Sequence, residues 1–567
     1  MHVVDWVVMG LTLAGIIGYG LYKSKHSHNL EGYFLGGRSM PWWIILLSIM
    51  GTQASAITFL SAPGQAYTDG MRFVQYYLGL PVAMIVISIF FVPIFHALKV
   101  YTAYEFLQNR FDGKTRVLTS LLFLASRGLS TGISIYAPSI IVSALLGWNI
   151  YLTNLLMGGF LIIYTVGGGA RAIAYTQRLQ FFIIMAGMVA AGYMAVKLLP
   201  GTTGFADALG MGALGGNLNV ITDGFTADGF NWKDKYNIWS GLVGGFFLAL
   251  SYFGTDQSQV GRYLTAKNMK ESRLGLLMNG VVKIPMQFLI LLVGVLVFAF
   301  YQYSPAPVFF NETAKAAAMQ TSAAPQLQKM ETAFAATAGR QTQLLQQYRQ
   351  NPALRDSIKA NMATLKQLRK QYAAAIKEAL PGAENEDTNY IFLYFVTHNL
   401  PKGVVGLLIA VIIMAAWGSI AAALNSLASS SVIDLHCNFT RRPLTEAEKY
   451  TLSWKYTLGW GIFCIAVAMF ATNMGSLIEA VNVLGSLFYG VILGIFLVAF
   501  FARSVKGDAV FWAAVVTQLL VVTIYNMEIV SFLWLNLIGA VGVWVISLLA
   551  QLLQPAVNHN TDQPVEK

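Results

Sequence analysis

Charged side chains are scarce in this sequence. Asp, Glu, Lys and Arg make up 11% of the 567 residues, whereas about a quarter is usual in a soluble protein. Hydrophobic residues reach 56%, and the mean hydropathy is +0.58. Long apolar runs recur along most of the chain, and about 20 consecutive apolar residues suffice to cross a bilayer as a helix. The composition therefore excludes a soluble globular protein and predicts an all-α polytopic membrane protein.

Cysteine and histidine are also few. The two cysteines, Cys437 and Cys464, fall in a predicted cytoplasmic loop and a predicted span, so neither a disulfide nor a metal site is expected. The seven histidines lie near predicted span ends or in loops, without metal-ligand spacing. Paired acids and a nucleophile with its base, which a membrane-embedded enzyme would need, are lacking too. We therefore expect no enzyme, and we see neither the selectivity filter of a channel nor the soluble effector of a receptor.

Thirteen apolar segments are long enough to be membrane spans. Their runs are continuous rather than alternating with a period of two, which argues against a transmembrane β-barrel. The first segment is too long for a cleaved signal peptide and has no basic flank before it, so we expect a retained span. The predicted spans are 3–22, 41–66, 73–98, 115–146, 150–168, 175–199, 237–261, 274–302, 402–434, 453–472, 477–502, 508–526 and 530–552.

Basic residues cluster in every second loop. Lys and Arg follow spans one, three, five, seven, nine and eleven, for example Lys99 and Arg110 after span three. Cytoplasmic loops of membrane proteins carry this excess of Lys and Arg. The net charge of +11 therefore marks loops that face the cytoplasm and gives no reason to expect a nucleic-acid partner. We predict a multi-pass protein of the cell membrane, embedded in the lipid bilayer, with its N-terminus outside and its C-terminus in the cytoplasm.

One long stretch is polar. Residues 304–389 contain two segments, 326–350 and 352–380, that are rich in the helix-favouring residues Ala, Gln, Lys and Leu. Asn351-Pro352 and Pro381-Gly382 match ordinary helix start and stop signals. Because the predicted topology places this stretch outside, we predict an extracellular helical-hairpin insertion. In the simpler interpretation it is only a stable loop. In the alternative it docks an extracellular partner or covers the outer vestibule.

Two predicted spans are interrupted by polar residues. "GTQAS" at 51–55 breaks the second span and "GTDQS" at 254–258 breaks the seventh, so both breaks share a G-T-x-x-S pattern. Spans 2–6 and 7–11 form two runs of five, and the broken span comes first in each run. Such paired breaks point to the binding site of an inverted-repeat transporter, although Gly, Ser and Thr clusters also serve close helix packing. We predict that freed carbonyls there bind a small cation and that nearby polar side chains bind a small-molecule solute.

Five stretches resemble the signatures of the sodium:solute symporter family. They are "EGYFLGGRSMPWW", "TAYEFLQNRFD", "YTVGGGARAIAYTQRLQ", "DQSQVGRYLTAKN" and "LNSLASSSVIDL". The resemblance covers most of residues 28–500 except the insertion. It implies a LeuT-type five-plus-five inverted repeat preceded by one helix, and symport with Na⁺ as the co-transported ion. "IYAPSIIVSALLG" is similar to the iodide, monocarboxylate and multivitamin branch, whereas Lys283 stands where the sugar branch carries a lysine.

This resemblance divides the chain into five parts. They are a leading transmembrane helix (1–27), the first repeat with the start of the second (28–303, spans 2–8), the insertion (304–389), the rest of the second repeat (390–507, spans 9–11), and two C-terminal helices with a cytoplasmic tail (508–567).

The resemblance also places the family's general sodium site. It falls at Gly51 and Ala54 in the first break and at Ala415, Gly418 and Ser419 on the ninth span. Three carbonyls and the Ser419 hydroxyl would supply the oxygen ligands. Gly418 departs from the family pattern, which has a hydroxyl residue there, so one ligand is lost.

A second sodium site occurs in some family members. Its Asp is replaced here by Gln177, and two serines are replaced by Ala421 and Ala422. Because all three ligands are missing together, we predict one sodium ion per solute, and coupling to protons instead of sodium stays open.

Solute-binding candidates come from the two breaks and the facing span. They are Gln53, Ser55, Thr58, Gln75, Tyr252, Gln257 and Lys283, with Glu479 and Asn482 as weaker candidates. Amides and hydroxyls suit a hydroxyl-rich ligand because they both donate and accept hydrogen bonds. Lys283 is an intramembrane cation, and such residues are usually functional. We expect a sugar or sugar derivative, and a monocarboxylate or other organic anion, attracted by the same lysine, is the alternative.

Two further charges, Arg127 and Asp256, are predicted to be buried. An unpaired charge inside a membrane is costly. We therefore predict that Asp256 pairs with Arg127 or with Lys283.

Overall fold

The computed structural model describes residues 1–24, 36–98, 100–201, 203–304, 306–348, 350–381, 387–440, 442–471 and 475–553. The predicted boundary at 27/28, part of the first signature stretch and the C-terminal tail lie outside these residues. Nearly all of the described chain is helical, and its strands are one two-residue pair, Phe225–Thr226 with Gly229–Phe230.

Eight helices of the described chain are long and apolar enough to cross a membrane, and five shorter apolar helices accompany them. The chain is thus a multi-pass membrane protein, and the predicted count of thirteen spans stays a prediction.

The helices up to the second break are α1 (Val3–Ser24), α2 (Trp42–Gln53), α3 (Ala56–Asp69), α4 (Leu80–Val86), α5 (Val92–Leu98), α6 (Glu105–Arg110), α7 (Gly113–Leu146), α8 (Ile150–Lys197), α9 (Phe205–Leu214) and α10 (Gly245–Gly254). Those after it are α11 (Gln257–Tyr263), α12 (Met269–Tyr303), α13 (Glu312–Ala318), α14 (Ala324–Tyr348), α15 (Arg355–Ala379), α16 (Thr388–Asn399), α17 (Val404–Ser430), α18 (Cys437–Phe439), α19 (Glu446–Ala468), α20 (Leu477–Phe501), α21 (Gly507–Asn526) and α22 (Phe532–Leu553).

The first polar interruption is a true break between α2 and α3. Ala54 leaves the helical conformation at φ −80°, ψ 65°, and Ser55 is extended. The Ser55 amide, which would pair with the Gly51 carbonyl in a continuous helix, donates instead to the Gln53 carbonyl at 2.9 Å. The Gly51 carbonyl is thereby released from the helical ladder.

The second interruption separates α10 from α11. Thr255 ends the first half at φ −132°, ψ −22°, and Asp256 is extended. Its carboxylate accepts hydrogen bonds from the Ser258 amide at 2.7 Å and the Ser258 hydroxyl at 2.6 Å. Asp256 is thus the N-cap of α11, a position that Asp favours because its side chain satisfies an amide at the helix start.

The predicted fifth and sixth spans lie on one helix. Helical backbone runs through α8, where a loop was expected between 168 and 175. Its apolar parts are Ile150–Thr165 and Ala174–Lys197. The Tyr164 and Thr176 hydroxyls are 3.3 Å apart, although twelve residues of straight helix would separate them by about 18 Å along the axis. The helix axis must therefore bend sharply between these two residues.

Helix α17 is the centre of the bundle. From Leu408 to Ser430 all of its side chains are buried. It packs against α1, α2, α7, α8 and α19, while α20 packs against α22. A helix that is apolar on every side, as α17 is, is expected at such a central position.

Helices α14 and α15 pack against each other in antiparallel fashion. Asn361 Nδ2 donates to the Thr337 carbonyl at 3.0 Å, and the Tyr372 hydroxyl donates to Glu331 at 2.8 Å. Burial and this bond to a carboxylate raise the pKa of Tyr372 above its usual value. Their side chains form a small separate core with Phe309 and Phe334. The extracellular location of this hairpin stays a prediction.

Candidate functional site

A cavity lies between the two helix breaks. It encloses about 1050 Å³ of space not occupied by protein atoms, counted to its mouth. Its wall combines residues of both broken helices with residues of α7, α12, α17 and α20. The polar and aromatic lining residues are Thr52, Gln53, Ser55, Thr58, Tyr76, Tyr77, Arg127, Ser130, Thr131, Ser134, Tyr252, Phe253, Lys283, Ser419, Asn482 and Tyr489.

Five of the seven main solute candidates line this central cavity: Gln53, Ser55, Thr58, Tyr252 and Lys283. The Thr58 hydroxyl donates to the Gln53 carbonyl at 3.2 Å, which holds the break together. The Tyr252 hydroxyl accepts a hydrogen bond from Gln259 at 2.7 Å. The first break therefore presents an amide and two hydroxyls to the cavity, and the second presents a phenol.

The other two candidates are not part of the cavity wall, which corrects the expectation for Gln75 and Gln257. Gln75 is fully buried, donates to the Tyr236 carbonyl at 3.0 Å and pairs twice with Thr222, at 3.1 Å each. It anchors the segment between α9 and α10.

Gln257 turns to the loop before α6. Its amide oxygen accepts from the Ala103 amide at 3.0 Å, and its nitrogen donates to the Tyr101 carbonyl at 2.8 Å. Both ends of each amide are thus satisfied by the protein itself.

Lys283 is a deeply buried cation at the cavity wall, with 1% of the residue exposed. Its ammonium nitrogen lies 5.3 Å from the centre of the Tyr77 ring, a cation–π contact. Within the described parts of the chain, no carboxylate lies within ion-pair distance of this nitrogen.

Of the two cations considered as partners of Asp256, Arg127 is the nearer. Its Nη1 is 4.0 Å from Asp256 Oδ2, at the limit of an ion pair. The Tyr489 hydroxyl donates to the same Oδ2 at 2.8 Å. The carboxylate thus joins the second break to α7 and α20.

Sequence reasoning named Arg127 of α7 only as a buried charge and missed the three hydroxyl residues that line the cavity beside it. Arg127, Ser130, Thr131 and Ser134 follow the spacing i, i+3, i+4, i+7 and therefore share one face of the helix. This polar stripe within an apolar run was the signal that could have identified them. Tyr76, Tyr77 and Tyr489 were also missed, because aromatic residues in spans are most often packing residues, and so was Thr52 of the first break.

A second, much smaller cavity adjoins the first break. Gly51, Ala54 and Ala415 line it together with Gln177 and Gln180. It leaves about 10 Å³ for the centre of a water-sized sphere, roughly enough for one water or one small ion. The structure thus brings together three of the five residues predicted for sodium.

The remaining two, Gly418 and Ser419, lie one turn further along α17. The Gly418 carbonyl accepts a hydrogen bond from Gln177 at 3.3 Å. The Ser419 hydroxyl donates to the Ala416 carbonyl at 2.9 Å, and the residue faces the central cavity.

The position predicted for a second sodium ion is occupied by neutral contacts. The Gln177 amide accepts from Ser48 at 3.1 Å and donates to the Thr52 hydroxyl at 3.4 Å as well as to Gly418. Ala421 and Ala422 are buried and pack against Tyr164. This region therefore holds an amide and methyl groups where a carboxylate and two hydroxyls would be needed.

Several known proteins are similar to this chain in sequence. The sodium/sialic acid symporter NanT of Aliivibrio fischeri is 23% identical over 551 residues, which are 96% of this chain and 92% of that protein. The sodium/sialic acid symporter SiaT of Proteus mirabilis is 24% identical over 571 residues, covering 99% and 97% of the two chains. The sodium/glucose cotransporter of Vibrio parahaemolyticus is 29% identical over 300 residues, 52% of this chain and 54% of that protein.

The fold has a solved counterpart. The structure of a Na⁺-coupled sialic acid symporter in its substrate-bound, outward-open state superposes with a TM-score of 0.72 at 22% identity, covering 97% of this chain and 98% of that one. These relatives are transporters and not enzymes. The family model of the sodium:solute symporters matches residues 33–334 and 361–517. With the two broken helices, the cavity between them and this match over most of its length, the chain belongs to the sodium:solute symporter family.

Proposed function

We propose that this protein imports an acidic, hydroxyl-rich solute, an acidic sugar, together with one sodium ion, by alternating access. The observation that carries the proposal is the composition of the central cavity. Its wall offers hydroxyls from Ser, Thr and Tyr, two amides, and the two cationic side chains of Arg127 and Lys283.

The two cations favour a solute that carries a carboxylate. Arg127 has Asp256 at 4.0 Å, whereas Lys283 contacts an aromatic ring. An ammonium group in a dehydrated cavity strongly favours an anionic ligand because the low dielectric leaves their attraction unscreened. The names of two relatives, both sodium/sialic acid symporters, point to the same class of acidic sugar.

The hydroxyls favour a sugar over a simple carboxylic acid. Ser130, Thr131 and Ser134 share one face of α7, and they line the cavity together with Ser55 and Thr58 of the first break. Four of these hydroxyls, those of Thr58, Ser130, Thr131 and Ser134, donate their protons to backbone carbonyls. Their oxygens can then accept hydrogen bonds from the hydroxyls of a sugar, which a simple carboxylate cannot donate. A small monocarboxylate would pair with Lys283 but would form few hydrogen bonds with these hydroxyls.

Coupling follows from the shared first break. Gly51 and Ala54 face the small cavity, while Gln53 and Ser55 between and beside them face the solute cavity. An ion held by the carbonyls would fix the backbone that positions the solute-binding side chains. Each ligand then finds its site preformed when the other is bound, which is positive cooperativity.

The direct test is uptake into proteoliposomes that contain the purified full-length protein. Radiolabelled sialic acid, glucose and pyruvate are offered with sodium, potassium or choline as the only cation. We expect uptake of sialic acid that requires sodium, and much weaker uptake of the two others. Lys283→Gln should abolish the preference for the acid, whereas Lys283→Arg should retain part of it.

Two results would overturn the proposal. Equal uptake in choline would show that transport is not coupled to sodium. Uptake of pyruvate in preference to sialic acid would show that the solute is not a hydroxyl-rich sugar. The second result would favour the monocarboxylate alternative, because Lys283 serves either acid.

A further inference from the structure

A third cavity lies between the α14–α15 hairpin and the membrane bundle. It contains about 1800 Å³ of space not occupied by protein atoms, counted to its open mouth, which is more than the central cavity contains. One wall is α15, and the opposite wall comprises the last turn of α3, the end of α12 and the first turn of α20. We call this space the hairpin vestibule.

The hairpin vestibule adjoins the central cavity. On α20, Glu479 lines the vestibule, while its neighbours Ile478 and Val481 line the central cavity. On α3, Gln65 and Thr68 line the vestibule, and Thr58 lines the central cavity. Both spaces therefore share the walls formed by α3 and α20.

The vestibule is positively charged. Five cationic side chains line it, Lys235, Lys359, Lys366, Arg369 and Lys370, against three carboxylates, Asp69, Asp387 and Glu479. Two of the carboxylates are neutralised in ion pairs, Lys235 with Glu479 and Arg369 with Asp387. The third, Asp69, accepts a hydrogen bond from Gln65 at 2.7 Å.

Three lysines remain, and they lie on one face of α15. Lys359, Lys366 and Lys370 are spaced i, i+7, i+11, which on an α-helix places them within about 40° of one another. Lys366 donates to the Thr68 carbonyl at 3.2 Å. Among the residues that the structure describes, no carboxylate forms an ion pair with any of the three. Like charges held on one face repel each other unless an anion lies between them.

We propose that the hairpin vestibule is an outer binding site for the carboxylate of an organic anion, formed by Lys359, Lys366 and Lys370. Given the proposed function, it holds the acidic solute before the solute passes between α3 and α20 into the central cavity. A basic cleft with low-dielectric walls concentrates anions and speeds their association, an effect that falls with ionic strength.

The test reads local anion binding directly and does not depend on transport. A fluorophore is attached through Ala363→Cys, on the vestibule face of α15, in a chain that also carries C437S and C464A. Its quenching by iodide is compared with quenching by neutral acrylamide. We expect the iodide-to-acrylamide ratio to fall at least twofold in the variant K359Q/K366Q/K370Q.

The matched control removes the same charge from the same hairpin outside the vestibule. Lys329, Arg355 and Lys377 are exposed and are absent from the vestibule wall. The variant K329Q/R355Q/K377Q should leave the quenching ratio unchanged. Because Lys366 also bonds to Thr68, the double variant K359Q/K370Q is measured alongside, so that a lower ratio cannot be attributed to the loss of that contact.

A binding site saturates as the concentration of its ligand rises, whereas a diffuse electrostatic field does not. Glucuronate added to the labelled protein should relieve iodide quenching along a saturation curve, whereas relief no greater than that produced by equal chloride overturns the proposal. An equal fall in both triple variants overturns it as well. Absence of sodium-dependent uptake with saturable relief intact would refute the proposed function and leave this site standing.

Discussion

The amide nitrogen of Gln177 on α8 donates a hydrogen bond to the backbone carbonyl of Gly418 on α17, at 3.3 Å. The contact joins two helices at the point where the family resemblance would place the carboxylate of a second sodium site. Here a neutral amide holds the helices together and leaves no anionic ligand there.

We predict a stoichiometry of one sodium ion per solute. The reason is that Gln177, Ala421 and Ala422 supply none of the three ligands of a second site. Solute flux into proteoliposomes is measured while the imposed sodium gradient is balanced against a solute gradient until net flux stops. For a singly charged anion carried with one sodium ion, the two gradients balance one to one and the membrane potential has no effect. A balance that follows the square of the sodium gradient would indicate two ions.

We predict that Gly418→Ser strengthens sodium activation several-fold by restoring the missing hydroxyl. A Cβ added at Gly418 would meet Gln180 Oε1 at 3.0 Å, the end of a flexible side chain that can give by a few tenths of an ångström. Gly418→Ala adds the same Cβ without the oxygen and is the control. The sodium concentration for half-maximal uptake should fall in the serine variant alone. If both variants weaken activation equally, crowding of Gln180 outweighs any new ligand.

We predict that Asp256→Ala is more harmful than the double change Arg127→Gln with Asp256→Ala. The single change leaves a buried guanidinium without its acid, and breaking a buried pair from one side costs about 3–5 kcal/mol, less here because the pair is 4.0 Å apart. Thermal unfolding in detergent and uptake are measured for both single variants and the double variant. A coupling of about 0.5 kcal/mol or more supports the pair, and strict additivity contradicts it.

We predict opposite effects for two glutamines that the sequence placed in one group. Gln53→Ala should raise the KM for solute, because Gln53 lines the central cavity. Gln75→Ala should leave KM unchanged and lower stability, because it leaves the Thr222 amide without its acceptor, at a cost of about 1–3 kcal/mol. KM and thermal stability of both variants give the comparison. If Gln75→Ala raises KM without lowering stability, Gln75 contributes to solute binding after all.

We predict that Arg369→Ala loosens the hairpin far more than Arg442→Ala affects its own loop. Arg369 donates twice to Asp387, at 2.8 and 2.9 Å, and lies 4.6 Å from the centre of the Phe310 ring. Arg442 pairs with Glu448 at the surface, where such pairs contribute about 0–1 kcal/mol. Protease cleavage between α14 and α15 should accelerate in the first variant only. Similar cleavage rates in both would show that the Arg369 pair does not hold the hairpin.

The sequence was sufficient to predict both breaks and the class of membrane fold. Gly51 and Gly254, followed by Thr and Ser, stand out against apolar runs, and broken backbone is tolerated in a membrane only where it lines a cavity or is buried in protein. The sequence was not sufficient for side-chain direction. Gln75 lies in a 3-10 turn and Gln257 at a helix start, and both turn away from the cavity toward loops whose positions depend on distant contacts.

The same limit explains why α7 was overlooked. Its hydroxyls alternate with apolar residues at helical spacing, and nothing local distinguishes a stripe facing a cavity from one facing another helix. Only the packing of α7 against α17 and α20 determines that this stripe faces the cavity. Likewise, the continuous helical backbone of α8 could not be read from an apolar profile with a dip at residues 166–173.

The contacts of Lys366 with Thr68 and of Arg369 with Tyr67 tie the hairpin to α3, the second half of the first broken helix. A tilt of that half-helix by about 5° would be carried along the roughly 16 Å of α15 between Lys366 and Arg355 and would displace the Arg355 end by about 1–2 Å. Paired spin labels near residue 355 and on α22 would therefore register each turnover as a change in distance, giving a mechanical readout of the transport cycle without a label near either ligand.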